Sequence, residues 1–216
     1  MTTQSEQRPV SLPVRTDNLA TLLQSRRSVR KYQDRPVSRE MIEQVLESAR
    51  WAPSPHGRQP WRFVVLTTQK LKLQLADQMG STWQQNLHMD GQDAEIVNIR
   101  LQKSRQRILN TPVIVIPCLY LEDLDYYPDE RRQADEKTMA IQSIGAAIQN
   151  MLLMAYDLGL DAGWMCAPLF CPEVVCKALD LDPRLIPQAL ITIGYAAADP
   201  ERRERLPLSS LIVRFD

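Results

Sequence analysis

Glycine is scarce in this chain of 216 residues, which has 7 glycines against 15 prolines. The glycines never fall into the spacing G-x-G-x-x-G, and no G-x-x-x-x-G-K-[ST] segment occurs. Many proteins cradle nucleotide phosphates with glycine-rich loops of these two kinds. If this protein binds a nucleotide phosphate, it must hold that phosphate in another way.

The chain also lacks an excess of charge and a long apolar run. Its 26 basic and 26 acidic side chains balance, whereas nucleic-acid binders are usually strongly basic, and 44% of residues are hydrophobic, which excludes an acidic disordered protein. No run of 18 apolar residues and no signal-peptide pattern occur. We expect one cytoplasmic domain, 17–216, preceded by an extended polar arm, 1–16, that binds neither nucleic acid nor membranes.

Cysteine and histidine are few, and their spacing does not suggest a metal site. The four cysteines stand at 118, 166, 171 and 176, and the two histidines at 56 and 88. In a reducing compartment we expect free thiols, and a repeat of five residues is not a zinc-ligand spacing. No H-E-x-x-H or paired-carboxylate pattern occurs. The sequence therefore predicts neither a bound metal nor a catalytic side chain.

Apolar periodicity predicts helices and strands that do not alternate one to one, so an α+β sheet is favoured over a doubly wound α/β sheet. The predicted strands are 61–67, 112–119 and 187–196, and 161–165 is predicted as a short strand or a turn. The predicted helices are a short one from 18, then 39–51, 69–80, 81–110 with a break at 90–91, 138–158 and 172–179. The polar segment 122–137 shows no periodicity and predicts a long loop, which we interpret as a substrate lid.

Arginine dominates the basic residues, with 20 arginines against 6 lysines. Guanidinium groups suit bidentate contacts with phosphate, and the arginines gather at 26–30 and again at 202–205. Each cluster is also compatible with a solvated charged surface. Sequence spacing does not show whether the two clusters converge on one anion.

Three further features are candidates for a site. The loop 53–61 holds Ser54 and His56 between prolines, although it could be an ordinary connection from a helix to a strand. Gln149 and Asn150 lie within a buried helix, where an interhelix hydrogen bond would also explain them. After the strand 161–165, backbone N–H groups would be free to meet a ligand; no neighbouring base supports Cys166 as a nucleophile.

Taken together, four segments resemble the FMN-dependent nitroreductase family, in order and over about 19–213. They are R-R-S-V-R-K-Y at 26–32, A-P-S-P-H-G-R-Q-P-W at 52–61, the helix and turn at 145–165, and R-R-E-R-L-P-L at 202–208. The resemblance implies an α+β sandwich with a mostly antiparallel sheet flanked by helices. It also implies an intertwined homodimer that binds FMN at the subunit interface.

The resemblance also implies roles for individual residues. Arg26, Ser28 and Arg30, assisted by Arg27, would contact the flavin phosphate, the ribityl chain and the pyrimidine edge. Arg203 and Arg205 would bind the same phosphate. The partner subunit would contribute Pro53, Ser54 and His56. Backbone groups around Met165, Cys166 and Ala167 would face the isoalloxazine ring and supply the hydrogen bond to its N5 edge. Gly57 departs from the family pattern, which has Asn there, so a side-chain amide contact is not expected.

The activity implied is a ping-pong transfer, in which NADH or NADPH delivers hydride to flavin N5 and leaves before an acceptor takes the electrons. The acceptor would be a nitroaromatic compound, a quinone or a similar small molecule, and the flavin supplies the chemistry.

Two alternatives remain open. One is an F420-related reductase or a flavin-consuming enzyme of the same fold. The segment W-M-C-A-P-L-F-C-P-E at 164–173 resembles the branch related to the nitroreductase-like domain of coenzyme F420 biosynthesis proteins. The other is a non-enzymatic flavin-binding protein.

Overall fold

The computed structural model describes residues 18–201 and 204–216. These residues form an α+β fold with one antiparallel sheet between helices, as the sequence predicts. The strands are β1 (Trp61–Leu66), β2 (Val113–Tyr120), β3 (Asp161–Met165), β4 (Leu185–Pro187) and β5 (Leu190–Gly194). The α-helices are α1 (Leu19–Ser25), α2 (Arg39–Arg50), α3 (Gln69–Met89), α4 (Ala94–Leu109), α5 (Glu130–Asp157) and α6 (Pro172–Ala178). The predicted arm, 1–16, lies outside the described residues.

The central strand of the sheet is β2. The strand order is β1-β2-β5-β3, and β4 also pairs with β2. Alternate residues of a strand face opposite sides of the sheet. Val113 and Val115 therefore join the core shared with α2 and α5, whereas Ile114 and Ile116 join the core shared with α3 and α6. Burial on both faces explains why the sequence of β2 is a continuous apolar run.

Helix α5 begins earlier than predicted, and this corrects the prediction of a loop over 122–137. The helix starts at Glu130, because the side chain of Asp129 caps it by accepting a hydrogen bond from the backbone N–H of Arg132 at 3.0 Å. Most side chains of the first two turns are exposed, so these turns carry no apolar stripe to reveal the helix. Only 121–129 is non-helical, and the proposed lid shrinks to that segment.

The remaining helix predictions are largely confirmed, with one extension. Helix α3 runs without interruption to Met89, so the helix predicted over 69–80 and the start of the helix predicted over 81–110 are one helix. The predicted break follows it, where Gly91 has a left-handed φ of +69° and Asp93 caps α4. Helix α5 is the one helix among the described residues with the length and apolar character of a membrane span. It packs on α2 and the sheet, and the apolar side chains on that side, such as Ile144, Ile148 and Met151, belong to the core.

Candidate functional site

The arginine-bearing segment 26–32 lies along the edge strand β3. The backbone N–H of Val29 donates to the carbonyl of Ala162 at 2.9 Å, and Ser28 pairs with Ala162 as an isolated parallel bridge. Val29 is buried, while Ser28 and Arg30 on either side of it are exposed. The segment is therefore anchored by one apolar side chain and presents its polar neighbours outward.

Gly163 of β3 and Tyr32 of the segment itself make this close approach possible. A Cβ on Gly163 would overlap the carbonyl oxygen of Val29 and would lie 2.8 Å from Thr192 Oγ1. The Tyr32 hydroxyl lies 2.8 Å from the carbonyl oxygen of Val29 and 2.8 Å from Thr192 Oγ1. Burial raises the pKa of Tyr32, so the phenol stays protonated and remains a donor. Gly163 thus gives the segment room, and Tyr32 fixes its path.

Arg26 carries the main electrostatic feature of this region. Its Nε atom is buried and has no hydrogen-bond partner among the described residues. Burial, followed by the positive charges of Arg205 and Arg27, lowers the pKa of the Arg26 guanidinium. The structure therefore brings Arg205 near the first arginine cluster, whereas Arg203 lies outside the described residues. A group of like charges with an unused buried donor is suited to binding an anion.

A cavity of about 890 Å³ opens beside this segment. Arg30, Met165 and Ala167 line it, together with residues of α3 and α4. The backbone N–H groups of Cys166 and Ala167 donate to no acceptor in the described part of the chain, since β3 ends at Met165 and a short 3-10 helix begins at Ala167. The cavity therefore combines a guanidinium with two free backbone donors near its wall.

The loop 53–60 has a defined shape but does not line this cavity. Its backbone turns at His56, which has a left-handed φ of 51°, and Ser54 Oγ accepts a hydrogen bond from the backbone N–H of Gln59 at 3.0 Å. His56 Nε2 lies 3.9 Å from Asp125 Oδ2. Pro53 is exposed in the same loop. Within one chain, the candidates Pro53, Ser54 and His56 thus stay apart from the cavity that Arg30 and Met165 line.

One further candidate, Asn150, has a structural explanation. Asn150 Nδ2 donates to the carbonyl of Ser48 at 3.1 Å, so this amide ties α5 to α2. Cys166 is the exposed cysteine, and Cys118, Cys171 and Cys176 are buried. Burial raises the pKa of the Cys118 thiol to about 12.

Sequence reasoning missed the part of the cavity that α3 and α4 supply. Arg100, Lys103 and Arg107 line the cavity from α4, and Trp83 lines it from α3. The spacing of the three basic residues, i, i+3 and i+7, places them on one helix face. That spacing was visible in the sequence, but α4 also carries other charged side chains, so the pattern does not stand out without the cavity.

Comparison with known proteins agrees with this architecture. The profile of the nitroreductase family matches residues 23–195. An NADH dehydrogenase of Thermus thermophilus is 28% identical over 218 residues, covering 94% of this chain and 98% of that protein. A nitroreductase-family protein of Desulfovibrio desulfuricans, solved in complex with FMN, is 28% identical with a TM-score of 0.70, covering 93% of this chain and 99% of that chain.

A BluB-like flavoprotein of Clostridium difficile has the same fold, with a TM-score of 0.78 at 23% identity over 93% of this chain and 100% of that chain. The family profile covers both the segment 26–32 and the whole sheet against which it lies. The chain belongs to the nitroreductase family, a family of oxidoreductases.

Proposed function

We propose that the protein is an NAD(P)H-dependent FMN oxidoreductase that reduces a nitroaromatic compound, a quinone or a similar small acceptor by a ping-pong mechanism. The observation that carries this proposal is the buried, unpartnered Nε of Arg26 beside Arg27 and Arg205. A phosphate there would satisfy the donor and neutralise the repulsion between guanidiniums. The family relationship and the FMN in the Desulfovibrio desulfuricans relative support the choice of FMN as the phosphate-bearing group.

The cavity would hold the rest of that cofactor. Arg26, Arg27, Arg205 and, in the undescribed segment, Arg203 would hold the phosphate, and Ser28 would contact the ribityl chain. Met165 and Ala167, which line the cavity, and Cys166 between them would face the ring, and the free amides of Cys166 and Ala167 would donate to its N5 edge. When bound, FMN accepts hydride from the nicotinamide and passes electrons to the acceptor.

The protein's contribution is electrostatic and positional. Arg30 places a positive charge on the cavity wall, where it would stabilise negative charge that develops on the ring during reduction. The apolar residues Trp164 and Met165 line the cavity and would limit access of water to the bound ring. Because hydride transfer and electron transfer run through the flavin, no side-chain general acid is required.

We also propose that the active form is a homodimer whose subunits share each site. Large apolar side chains are exposed at the C-terminus, and Phe215 is 89% exposed. Exposed apolar surface of this kind marks protein interfaces. The loop that holds Ser54 and His56 does not reach the cavity of its own chain, and a second subunit could supply it.

The experiment that tests the function is a visible absorption spectrum of the purified protein, followed by NADH and NADPH oxidation assays. A bound flavin and consumption of either nucleotide with a nitroaromatic or quinone acceptor are expected. A protein that binds FMN but oxidises neither nucleotide would be a flavin binder instead. A colourless protein that does not take up added FMN would overturn the proposal.

The flavin-consuming alternative has a separate readout. An enzyme of that kind would lose flavin absorbance during the reaction and would release a fragment of the ring, whereas the proposed oxidoreductase returns FMN unchanged after each turnover. Mass spectrometry of the flavin before and after many turnovers distinguishes the two.

The cytoplasm remains the predicted location of the protein.

The shared site is tested by mixing two inactive variants. One carries Arg26→Ala and Arg205→Ala, and the other carries Ser54→Ala and His56→Ala. In a random mixture half of the dimers combine both variants, and one of their two sites is intact, so about a quarter of wild-type activity should return. Activity that stays at the level of the separate variants would show that one chain supplies all of these residues.

A further inference from the structure

The cavity beside β3 is distinguished by the charge of its lining. Four cationic side chains line it, and Asp90 is the one acidic residue that does so among the described residues. The lining therefore carries a formal charge of 4 − 1 = +3 in a chain whose total charge is zero. The cations are Arg30, Arg100, Lys103 and Arg107.

These cations differ from most arginines elsewhere on the surface. Eight other arginines each form a salt bridge with a carboxylate, and Arg105, on the same helix as three of the cavity cations, pairs with Asp77 at 2.9 Å. By contrast, the side chains of Lys103 and Arg107 make no salt bridge or hydrogen bond within 18–201 and 204–216. The carboxylates of this protein thus neutralise charge outside the cavity and leave these two cavity cations unpaired.

The other walls of the cavity are aromatic and apolar. Trp83, Trp164 and Phe170 line it, together with Met79 and Leu87. Flat aromatic side chains suit a planar ligand, and unpaired cations around a concave surface concentrate negatively charged ligands. The cavity, at about 890 Å³, belongs among the larger ligand sites of proteins.

We propose that the acceptor is a planar aromatic or quinoid molecule that carries an anionic group, and that Lys103 and Arg107 bind this group. The proposal rests on the proposed function, because it names the substrate class of the same site. Arg30 lies on the segment assigned to the flavin, whereas Lys103 and Arg107 lie on α4. An acceptor that bridges them would place its ring against the aromatic wall and its anion on α4. Both side chains are exposed, so each ion pair with the anion contributes at most about fivefold to affinity, and the two together contribute up to about 30-fold.

The test compares two acceptors of nearly equal shape, 4-nitrobenzoate and 4-nitrobenzamide, by calorimetric titration of the protein with FMN added. The wild type should bind the carboxylate about 3- to 30-fold more tightly than the neutral amide. Lys103→Gln with Arg107→Gln should abolish that difference without lowering the affinity for the amide. Arg105→Gln is the matched control, because Arg105 lies on the same helix, does not line the cavity and should leave both affinities unchanged.

Other outcomes overturn the proposal in distinguishable ways. Equal affinity of the wild type for both compounds would show that the cavity does not select for charge. If the double variant weakened binding of NADPH but not of NADH or 4-nitrobenzoate, the two cations would bind the additional phosphate that NADPH carries and NADH lacks. If the variant lost FMN, they would belong to the cofactor site. Binding is measured without turnover, so failure of nucleotide oxidation would count against the proposed function and leave this test valid.

Discussion

Arg26 and Arg205 lie close enough for the charge of Arg205 to lower the pKa of Arg26, although they stand near opposite ends of the chain. Neither forms a salt bridge with a carboxylate among the described residues. The fold thus places two guanidiniums together at an energetic cost that an anion would remove. This relationship gives the arginine excess of the sequence a specific structural purpose under the proposed function.

Arg205→Ala should weaken binding of FMN by about 10- to 100-fold, because it removes one charge-assisted contact with the phosphate. This change is measured by titrating the protein with FMN and monitoring the quenching of flavin fluorescence. Binding of riboflavin, which has no phosphate, should change little. Arg214→Ala is the control, since Arg214 pairs with Asp216 at 2.8 Å and should leave FMN binding unaltered. An equal loss for FMN and riboflavin would indicate a structural defect instead.

Gly163→Ala should lower the free energy of unfolding by about 1–3 kcal/mol and should also weaken FMN binding. The added methyl group would overlap the carbonyl oxygen of Val29 and crowd Thr192 Oγ1, so the segment 26–32 would have to move off β3. Chemical denaturation and flavin titration measure the two effects. Gly145→Ala is the control: it lies in α5, where the added Cβ would meet no atom within 4 Å apart from its chain neighbours and the backbone of its own helix, and it should be neutral or stabilising. Similar effects at both glycines would contradict the close approach.

Thiol reagents should modify one cysteine quickly in the folded protein. Cys166 is exposed, whereas burial raises the pKa of the Cys118, Cys171 and Cys176 thiols and keeps them protonated. Titration with a disulfide reagent at mildly alkaline pH should therefore release one equivalent rapidly and the other three only after denaturation. In Cys166→Ser the rapid phase should disappear. Two or more rapid equivalents in the wild type would mean that a buried thiol becomes accessible by local opening.

Glu136→Met should raise the free energy of unfolding by about 1–3 kcal/mol. Both carboxylate oxygens of Glu136 are buried and find no hydrogen-bond partner among the described residues, so an apolar side chain of similar size removes an unsatisfied group. Denaturant unfolding measures the effect, and Asp135→Asn at the exposed neighbouring position should change stability by less than about 0.5 kcal/mol.

A loss of stability in Glu136→Met would contradict that prediction and would show that the carboxylate has a partner. Ligand atoms of Glu136, His56 and Asp125 all lie within 4.8 Å of one another, so a divalent cation is the first partner to test. In that case a chelator should destabilise the wild type and leave the variant unchanged.

Local patterns predicted most elements because each depends on neighbours in the chain. Ser38 caps α2, the β-branched run gives β2, and Gly91 with Asp93 separates α3 from α4. The start of α5 was missed for the same reason. Its cap, Asp129, is one acidic residue in an acidic stretch, and its exposed first turns have no apolar stripe. The sequence therefore predicts helices that pack against the core more clearly than helical turns that are exposed to solvent.

By itself the sequence determined the fold class, the family and the presence of two arginine clusters, because apolar periodicity and ordered motifs are properties of the chain. Only the tertiary structure decided that Arg205 meets Arg26, that Gly163 lets Val29 approach β3, and that Lys103 and Arg107 face the same cavity as Arg30. These relationships join segments far apart in sequence. They depend on how the sheet and helices pack, and no local pattern encodes the distances that packing creates.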